Sequence, residues 1–195
     1  MEIDYSQLHG RHVYLEGLRP EHAAELRGLA RDERLWEFTQ TLLINETYDA
    51  QFDKYIATAL DPASTGGMRS FIIRRSSDAK LIGMTRFYCI QPGDRRLSIG
   101  YTWYIPEVWG GPENKECKWL LLRYVFEVLN FNRVEFEVDI RNLRSQKAVE
   151  KIGGTREGVL RYHRYRADGT VRDTVVFSII APEWEAVSGR LKGLF

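Results

Sequence analysis

Residues 108–129 read VWGGPENKECKWLLLRYVFEVL, a glycine-containing loop followed without a break by a strongly patterned helix. From Cys117 onward, apolar side chains recur three and four residues apart, which is the spacing of one helical face. Trp119, Leu122 and Phe126 widen that face, so the sequence predicts a mostly buried helix that packs across a sheet. On this pattern the solvent side carries only charged residues: Lys115, Glu116, Lys118, Arg123 and Glu127.

The loop before this helix has the features of an anion site. The first N–H groups of a helix lack internal partners and carry partial positive charge, and Gly110 and Gly111 have no side chain to block close approach. Glu113 in the first turn is expected to point outward, because it would repel an anion. The structural alternative is that the glycines only turn the chain and Pro112 begins the helix. The loop matches neither G-x-G-x-x-G nor G-x-x-x-x-G-K-[ST].

The rest of the chain predicts a mixed α/β fold with a mostly antiparallel sheet. In residues 133–140, for example, apolar and acidic side chains alternate strictly, as in a strand with one buried face. About seven strands and about four helices are predicted in the order β-α-α-β-β-β-α-β-α-β-β. The predicted strands are residues 10–19, 68–75, 81–90, 97–105, 133–140, 158–166 and 171–180. One predicted helix begins at Pro20, and another begins in the opening stretch. The other two span residues 48–60 and 142–152.

Composition limits the class of protein. A chain of 195 residues with 44% hydrophobic and 28% charged residues is typical of one soluble globular domain, taken here as residues 1–195. The formal net charge of +1 gives no reason to expect nucleic acid or a membrane as a partner. Two isolated cysteines and four histidines show no metal-ligand spacing, so no metal is expected. No signal peptide or membrane-spanning run is recognisable, and a cytoplasmic location is expected.

A second patterned segment, DIRNLRSQKAVEKIGG at residues 139–154, reads as a strand end followed by a short helix. Asn142 stands at the cap position, and Gly153 closes the helix. Ser145 then lies one turn into the helix, on the side that carries Ala148. From the residues alone, Asn142 is a helix cap and nothing more.

The order of these motifs is specific, although each motif alone is weak. The loop-to-helix site follows a strand, a second strand leads into N-x-x-S-x-x-A-x-x-x-x-G, and E-G-x-L-R follows at residues 157–161. The tail D-G-x-x-R-D-x-V-x-F-S at residues 168–178 precedes a Glu-Trp pair. Over essentially its whole length the chain resembles the GNAT superfamily of acyl-CoA N-acyltransferases. It is most similar to the branch that includes the ribosomal-protein N-terminal acetyltransferases.

The resemblance implies acetyl-CoA as cosubstrate, bound where the strand at residues 97–105 splays from its neighbour. The pyrophosphate would lie on the opening loop, where the superfamily has Q/R-x-x-G-x-G/A. Trp109, Pro112 and Asn114 depart from that pattern, and proline has no N–H to donate. Arg144 and Lys147 are candidates for the adenosine phosphate, or are solvated helix charges. The cofactor-binding residues implied in this way are Trp103, Tyr104, Ile105, Trp109, Gly110, Gly111, Glu113, Asn114, Lys115, Asn142, Arg144, Ser145 and Lys147.

The resemblance also implies candidate catalytic residues. Ser145 matches a hydroxyl thought to protonate the departing thiolate in this branch, although a packed helix serine is the alternative. The expected general base is missing, because Ser98 and Arg164 stand where relatives carry a carboxylate. His163 and Glu157 are base candidates, and His163 has a suitable unperturbed pKa.

The implied reaction is direct attack of a primary amine on the acetyl thioester, with a protein N-terminal α-amine or a small-molecule amine as acceptor. A strand N–H near residues 103–105 would stabilise the oxyanion. The alternative is a non-catalytic acyl-CoA-binding module of the same fold, which the missing base favours and Ser145 beside Asn142 opposes. Residues 35–65 are expected to contact the acceptor, and a homodimer is a further expectation from the resemblance.

Overall fold

Seven strands form one mixed sheet in the computed structural model, which describes residues 2–41 and 44–195. The order across the sheet is β1-β2-β3-β4-β5-β7-β6, and every neighbouring pair is antiparallel except β4 and β5. The strands are β1 (Val13–Gly17), β2 (Arg69–Arg75), β3 (Leu81–Gln91), β4 (Arg96–Tyr104), β5 (Arg133–Asp139), β6 (Thr155–Tyr165) and β7 (Val171–Ile180). The predicted mostly antiparallel sheet is confirmed, although β1 and β6 begin at residues 13 and 155 instead of 10 and 158.

Five α-helices accompany the sheet in the described residues. They are α1 (Ala23–Leu29), α2 (Tyr48–Leu60), α3 (Glu113–Arg123), α4 (Leu143–Lys151) and α5 (Trp184–Lys192). The sequence predicts about four, and α2 begins and ends where it is predicted. The missed helix is α5, which has only nine residues and contains Gly189. Glycine lowers helix propensity, and nine residues give too few repeats to show a clear period.

Helix α3 is buried as predicted and continues through a π-helical turn at Tyr124–Val128. The prediction for its polar face is wrong at two positions, because Glu116 and Lys118 are both buried. The carboxylate of Glu116 accepts the backbone N–H groups of residues 11–13 at 2.6 to 2.8 Å. These charge-assisted hydrogen bonds offset the burial of the carboxylate and hold the start of β1 against α3.

Strands β4 and β5 stay paired over only three residues. Their parallel ladder joins Arg96, Leu97 and Ser98 to residues 133–135 and then ends. Strand β4 also carries a bulge at Tyr101, whose φ of 51° lies in the left-handed region. Because no further ladder joins the two strands, a gap opens between them at the sheet centre, beside the start of α3.

Candidate active site

The gap between β4 and β5 opens into a cavity of about 570 Å³. Its walls include both strands, the loop before α3, helix α4 and the segment at residues 34–41. Ten of the predicted cofactor-binding residues line it: Trp103, Tyr104, Trp109, Gly110, Gly111, Asn114, Lys115, Asn142, Arg144 and Ser145. Ile105, Glu113 and Lys147 do not. The opening loop and the α4 segment, which are distant in sequence, therefore meet at one cavity.

Two arginines flank Trp109 at the mouth of this cavity. The guanidinium carbon of Arg144 lies 4.5 Å from the centre of the indole ring, and that of Arg34 lies 5.4 Å from it. The indole N–H donates to the carbonyl oxygen of Tyr104 at 2.7 Å, which fixes the ring. The mouth combines these guanidinium groups with the free N–H groups at the start of α3, a setting that favours an anionic ligand group.

The first turn of α3 differs from the prediction at Glu113. Its side chain folds back over Gly111 instead of pointing outward, and one carboxylate oxygen is buried without a hydrogen-bond partner in the described residues. The partial positive charge at the start of a helix attracts a carboxylate to this position. An anion that binds to the loop has to displace the Glu113 carboxylate or share the loop with it.

Helix α4 presents Asn142 and Ser145 to the cavity. The side-chain oxygen of Asn142 accepts the backbone N–H of Ser145 at 2.9 Å, so the predicted cap is confirmed. Because the cap uses the oxygen, the NH₂ group of Asn142 is the part that can donate to a ligand. The cap also fixes where α4 begins, and this sets the position of Ser145 on the cavity wall.

The end of β4 is only partly available to a ligand. The backbone N–H of Ile105 donates to the carbonyl oxygen of Ile82 at 2.9 Å, and Ile105 does not line the cavity. The hydroxyl of Tyr104 is buried beside Cys117, and burial raises its pKa. Among the predicted oxyanion donors at residues 103–105, the N–H of Ile105 is therefore already used within the sheet.

Glu137 on β5 is a candidate functional residue that the sequence pattern does not reveal. It lines the cavity, and its Oε2 accepts a hydrogen bond from Arg164 at 2.8 Å. Tyr88 lies on the same cavity wall, where burial and then the charge of Glu137 raise its pKa. In the alternating pattern of residues 133–140, Glu137 reads as one more solvent-facing residue. Its arginine partner is 27 positions away, so no local pattern links the two.

Lys118 is the second cavity residue that the sequence does not reveal. It is 7% exposed, lines the cavity, and donates from Nζ to Oγ1 of Thr102 at 2.8 Å. Burial lowers the pKa of Lys118 from 10.5 to about 8. Its ammonium forms no ion pair with a carboxylate in the described part of the chain. A helical pattern places charges outside by default, and for this reason the residue is missed.

The two base candidates lie away from the cavity. Glu157 accepts hydrogen bonds from Arg133 at 2.7 Å and from the hydroxyl of Ser178 at 2.8 Å. The hydrogen bond from Arg133 lowers the pKa of Glu157 to about 2, which makes it a weak proton acceptor near neutral pH. His163 does not line the cavity either, and burial lowers its pKa. The structure therefore brings neither side chain to the cavity wall that carries Ser145.

Within residues 2–41 and 44–195, no helix has the length and apolar character needed to cross a membrane. Over the same residues, His, Cys, Asp and Glu side chains form no group of three or more that could hold a metal ion.

Residues 12–155 match the family model of the acetyltransferase (GNAT) domain. The chain therefore belongs to the GNAT acetyltransferase family. The matched part runs from the start of β1 to the first residue of β6. It contains the α3 loop, Glu137, Lys118 and the capped start of α4.

Two relatives come from Bacillus subtilis (strain 168). YoaA, named an uncharacterised N-acetyltransferase, is 36% identical over 110 residues, which cover 56% of this chain and 61% of YoaA. YdaF, named as a candidate ribosomal N-acetyltransferase, is 34% identical over 109 residues, which cover 55% of this chain and 58% of YdaF. The chain thus spans about three-fifths of the length of these relatives.

Solved structures share the fold over nearly the whole chain. A candidate acetyltransferase from T. thermophilus superimposes with a TM-score of 0.83 at 35% identity, covering 95% of each chain. Mycobacterium smegmatis RimJ, solved in complex with CoA-disulfide, superimposes with a TM-score of 0.77 at 22% identity, covering 93% of this chain and 88% of RimJ. The predicted GNAT fold is therefore confirmed.

The lowered pKa of Lys118 predicts a specific pH dependence of stability. Above pH 8 the unfolded state binds more protons at this lysine than the folded state, so the free energy of unfolding rises with pH up to about 10.5. Relative to Lys118→Met, the wild type is expected to gain about 2 kcal/mol between pH 7 and pH 9.5. Urea unfolding at both pH values measures the difference, and parallel curves for the two proteins would contradict it.

Proposed function

We propose that this chain transfers an acetyl group from acetyl-CoA directly to a primary amine, either the α-amine of a protein N-terminus or an amine of a small molecule. The observation that carries the proposal is one continuous cavity that runs from the positive mouth at Trp109 to the gap where Ser145 lies. Acetyl-CoA has a matching order of groups, with a diphosphate at one end of its arm and the thioester at the other. RimJ, which shares the fold, was solved in complex with CoA-disulfide, and this supports a CoA thioester as the donor.

The residues around the mouth suit the phosphates of CoA. The diphosphate would accept hydrogen bonds from the N–H groups of Gly110 and residues 113–115, and Lys115, Arg34 and Arg144 would add positive charge. Arg144 fits the adenosine phosphate better than Lys147 does, because Lys147 does not line the cavity. The pantetheine arm would lie along the edge of β4 that carries no ladder.

The transfer step needs one group that accepts a proton and one that donates a proton. The amine nitrogen attacks the thioester carbon, the C–S bond then breaks, and the thiolate takes a proton from the hydroxyl of Ser145. Ser145 regains a proton from solvent, and the proton of the amine passes to solvent through its acceptor, so the enzyme returns to its starting state. Glu137 would receive the proton of the amine, because its carboxylate lines the cavity. Arg164 binds Glu137 at Oε2, which leaves Oε1 to face the acceptor.

The alternative is a non-catalytic acyl-CoA-binding module of the same fold. One observation favours it: Arg164 already binds Oε2 of Glu137 at 2.8 Å, so part of this carboxylate is used inside the protein. Such a module would bind acetyl-CoA without releasing a thiol in the presence of any amine.

The acceptor side of the cavity is built in part from the predicted acceptor region. Leu35, Trp36, residues 38–41 and Tyr55 line the cavity. A homodimer is also part of the proposal, supported by the exposed side chains of Tyr162 and Tyr165 on the edge strand β6.

The pKa of the acceptor amine itself predicts a preference among amines. An α-amine of pKa about 8 is neutral in roughly one molecule in ten at pH 7, whereas a lysine amine is neutral in about one in a few thousand. In a thiol-release assay with acetyl-CoA, peptides with a free N-terminus are expected to be acetylated faster than N-blocked peptides that contain lysine. Polyamines, amino acids and aminoglycosides complete the panel. A preference for lysine amines would contradict the α-amine assignment, and no release with any amine would favour the binding module.

Two glutamates with arginine partners offer a matched pair of variants. Glu137→Gln is expected to lower kcat/KM by about 100-fold, because it removes the carboxylate that faces the acceptor. Glu157→Gln is expected to leave kcat/KM within about threefold, because Glu157 lies outside the cavity and its carboxylate binds Arg133. The same assay measures both variants. Equal losses, or a larger loss for Glu157→Gln, would reject Glu137 as the base.

A further inference from the structure

Lys118 is a buried ammonium for which the fold supplies no counter-charge in the described residues. It lies in the second turn of α3, and its single hydrogen-bond partner there is the hydroxyl of Thr102. A lysine ammonium has three N–H donors, so two remain for a ligand in the cavity that Lys118 lines. Burying a cation without a partner costs free energy, and Leu or Met would fill a similar volume without that cost. The buried ammonium of Lys118 is therefore suited to bind a ligand group that accepts hydrogen bonds.

Contacts of Thr102 fix where the ammonium points. Its Oγ1 lies 2.8 Å from Nζ of Lys118 and 2.8 Å from Oγ1 of Thr85 on the adjacent strand β3. Thr102 directly follows the bulge residue Tyr101. The ladder between β4 and β5 has already ended at Ser98. The ammonium is thus held at the level of β4 where the gap for the donor arm begins.

The same part of β4 has one backbone donor fewer for a developing oxyanion. Backbone N–H groups usually serve this purpose in acyl transfer. Here the N–H of Ile105 is used by the carbonyl of Ile82. Lys118 on α3 is hydrogen-bonded to Thr102, one residue beyond the bulge, and its two unused N–H groups add donors at this level of the strand.

We propose that Lys118 is a catalytic residue whose ammonium donates a hydrogen bond to the carbonyl oxygen of the donor's acyl group and stabilises the negative charge that forms there. The inference rests on the proposed acetyl transfer and adds a residue to it. As the amine nitrogen forms its bond to the carbonyl carbon, the π electrons of the C=O bond move to the oxygen beside Lys118. They return when the C–S bond breaks, and the thiolate leaves with its proton from Ser145.

The energetics favour this role over a role in ground-state binding. A neutral carbonyl only weakly offsets the burial cost of the ammonium, whereas an oxyanion offsets it strongly. Lys118 therefore interacts more strongly with the transition state than with the substrate, which is the condition for a faster chemical step. With a pKa of about 8, the side chain is still mostly protonated at pH 7, as a hydrogen-bond donor has to be.

The test compares Lys118→Met and Lys118→Gln with the wild type in steady-state acetyl transfer, together with CoA binding by calorimetry. CoA has no acyl carbonyl, so its affinity reports contacts to the arm alone. Lys118→Met is expected to lower kcat by about 100- to 1,000-fold with CoA affinity within about threefold. Lys118→Gln keeps a neutral donor and is expected to recover about a tenth of the wild-type kcat. Lys54→Met removes an exposed lysine of α2 and serves as the matched control with unchanged kcat.

Each other outcome overturns the inference in a different way. An unchanged kcat in Lys118→Met means that the ammonium does not touch the reacting oxygen. A parallel loss of CoA affinity means that Lys118 holds the arm and not the acyl group. Acetylation of Lys118 itself, seen as added mass on its tryptic peptide, makes it a nucleophile instead. Absence of transfer by the wild type overturns the proposed function, and with it this inference. Circular dichroism of both variants shows that the folded protein is measured.

Discussion

The ladder between β4 and β5 ends after three residue pairs, and the rest of the site depends on this early end. A fully paired sheet would leave no space for a ligand between its central strands. Here the bulge at Tyr101 and the crossover through α3 allow the strands to separate while the sheet on either side remains hydrogen-bonded. Backbone groups along the gap that lack a sheet partner favour an extended ligand that can supply hydrogen bonds. The pantetheine arm of a CoA thioester is such a ligand.

Positively charged side chains are concentrated at the cavity, although the whole chain carries a formal net charge of only +1. Arg34 and Arg144 flank Trp109 at the mouth, and Lys118 lies deeper along the same cavity. Glu137 also lines the cavity, where Arg164 binds its carboxylate. In the proposed reaction, the positive groups would contact the phosphates and the carbonyl oxygen of a CoA thioester. Glu137 would accept the proton of the amine.

The sequence predicts the parts of the structure that have local patterns. The strict alternation of β5, the thirteen residues of α2 and the Asn142 cap are all visible in short stretches, and the structure confirms them. The order of the α3 loop, the α4 segment and the motifs at residues 157–161 and 168–178 predicts the GNAT fold through the resemblance. Missed features depend on contacts between distant residues. Glu116 and Lys118 read as solvent-facing because a helical pattern shows only neighbours along the helix. The partners of Glu116 are backbone N–H groups 103 or more positions away, and the partner of Lys118 is a threonine on strand β4.

Glu137 reads as an outer strand residue for the same reason. Glu157 and His163 are base candidates from the sequence, and the structure places both side chains outside the cavity.

The most direct test of this account is a crystal structure of the chain with bound CoA. The account predicts a diphosphate on the N–H groups of Gly110 and residues 113–115 and an arm along β4, with the sulfur within reach of Ser145 and Lys118. It also predicts that the Glu113 carboxylate moves off Gly111. A cavity that stays empty at saturating CoA, or CoA bound at another surface, would contradict the account.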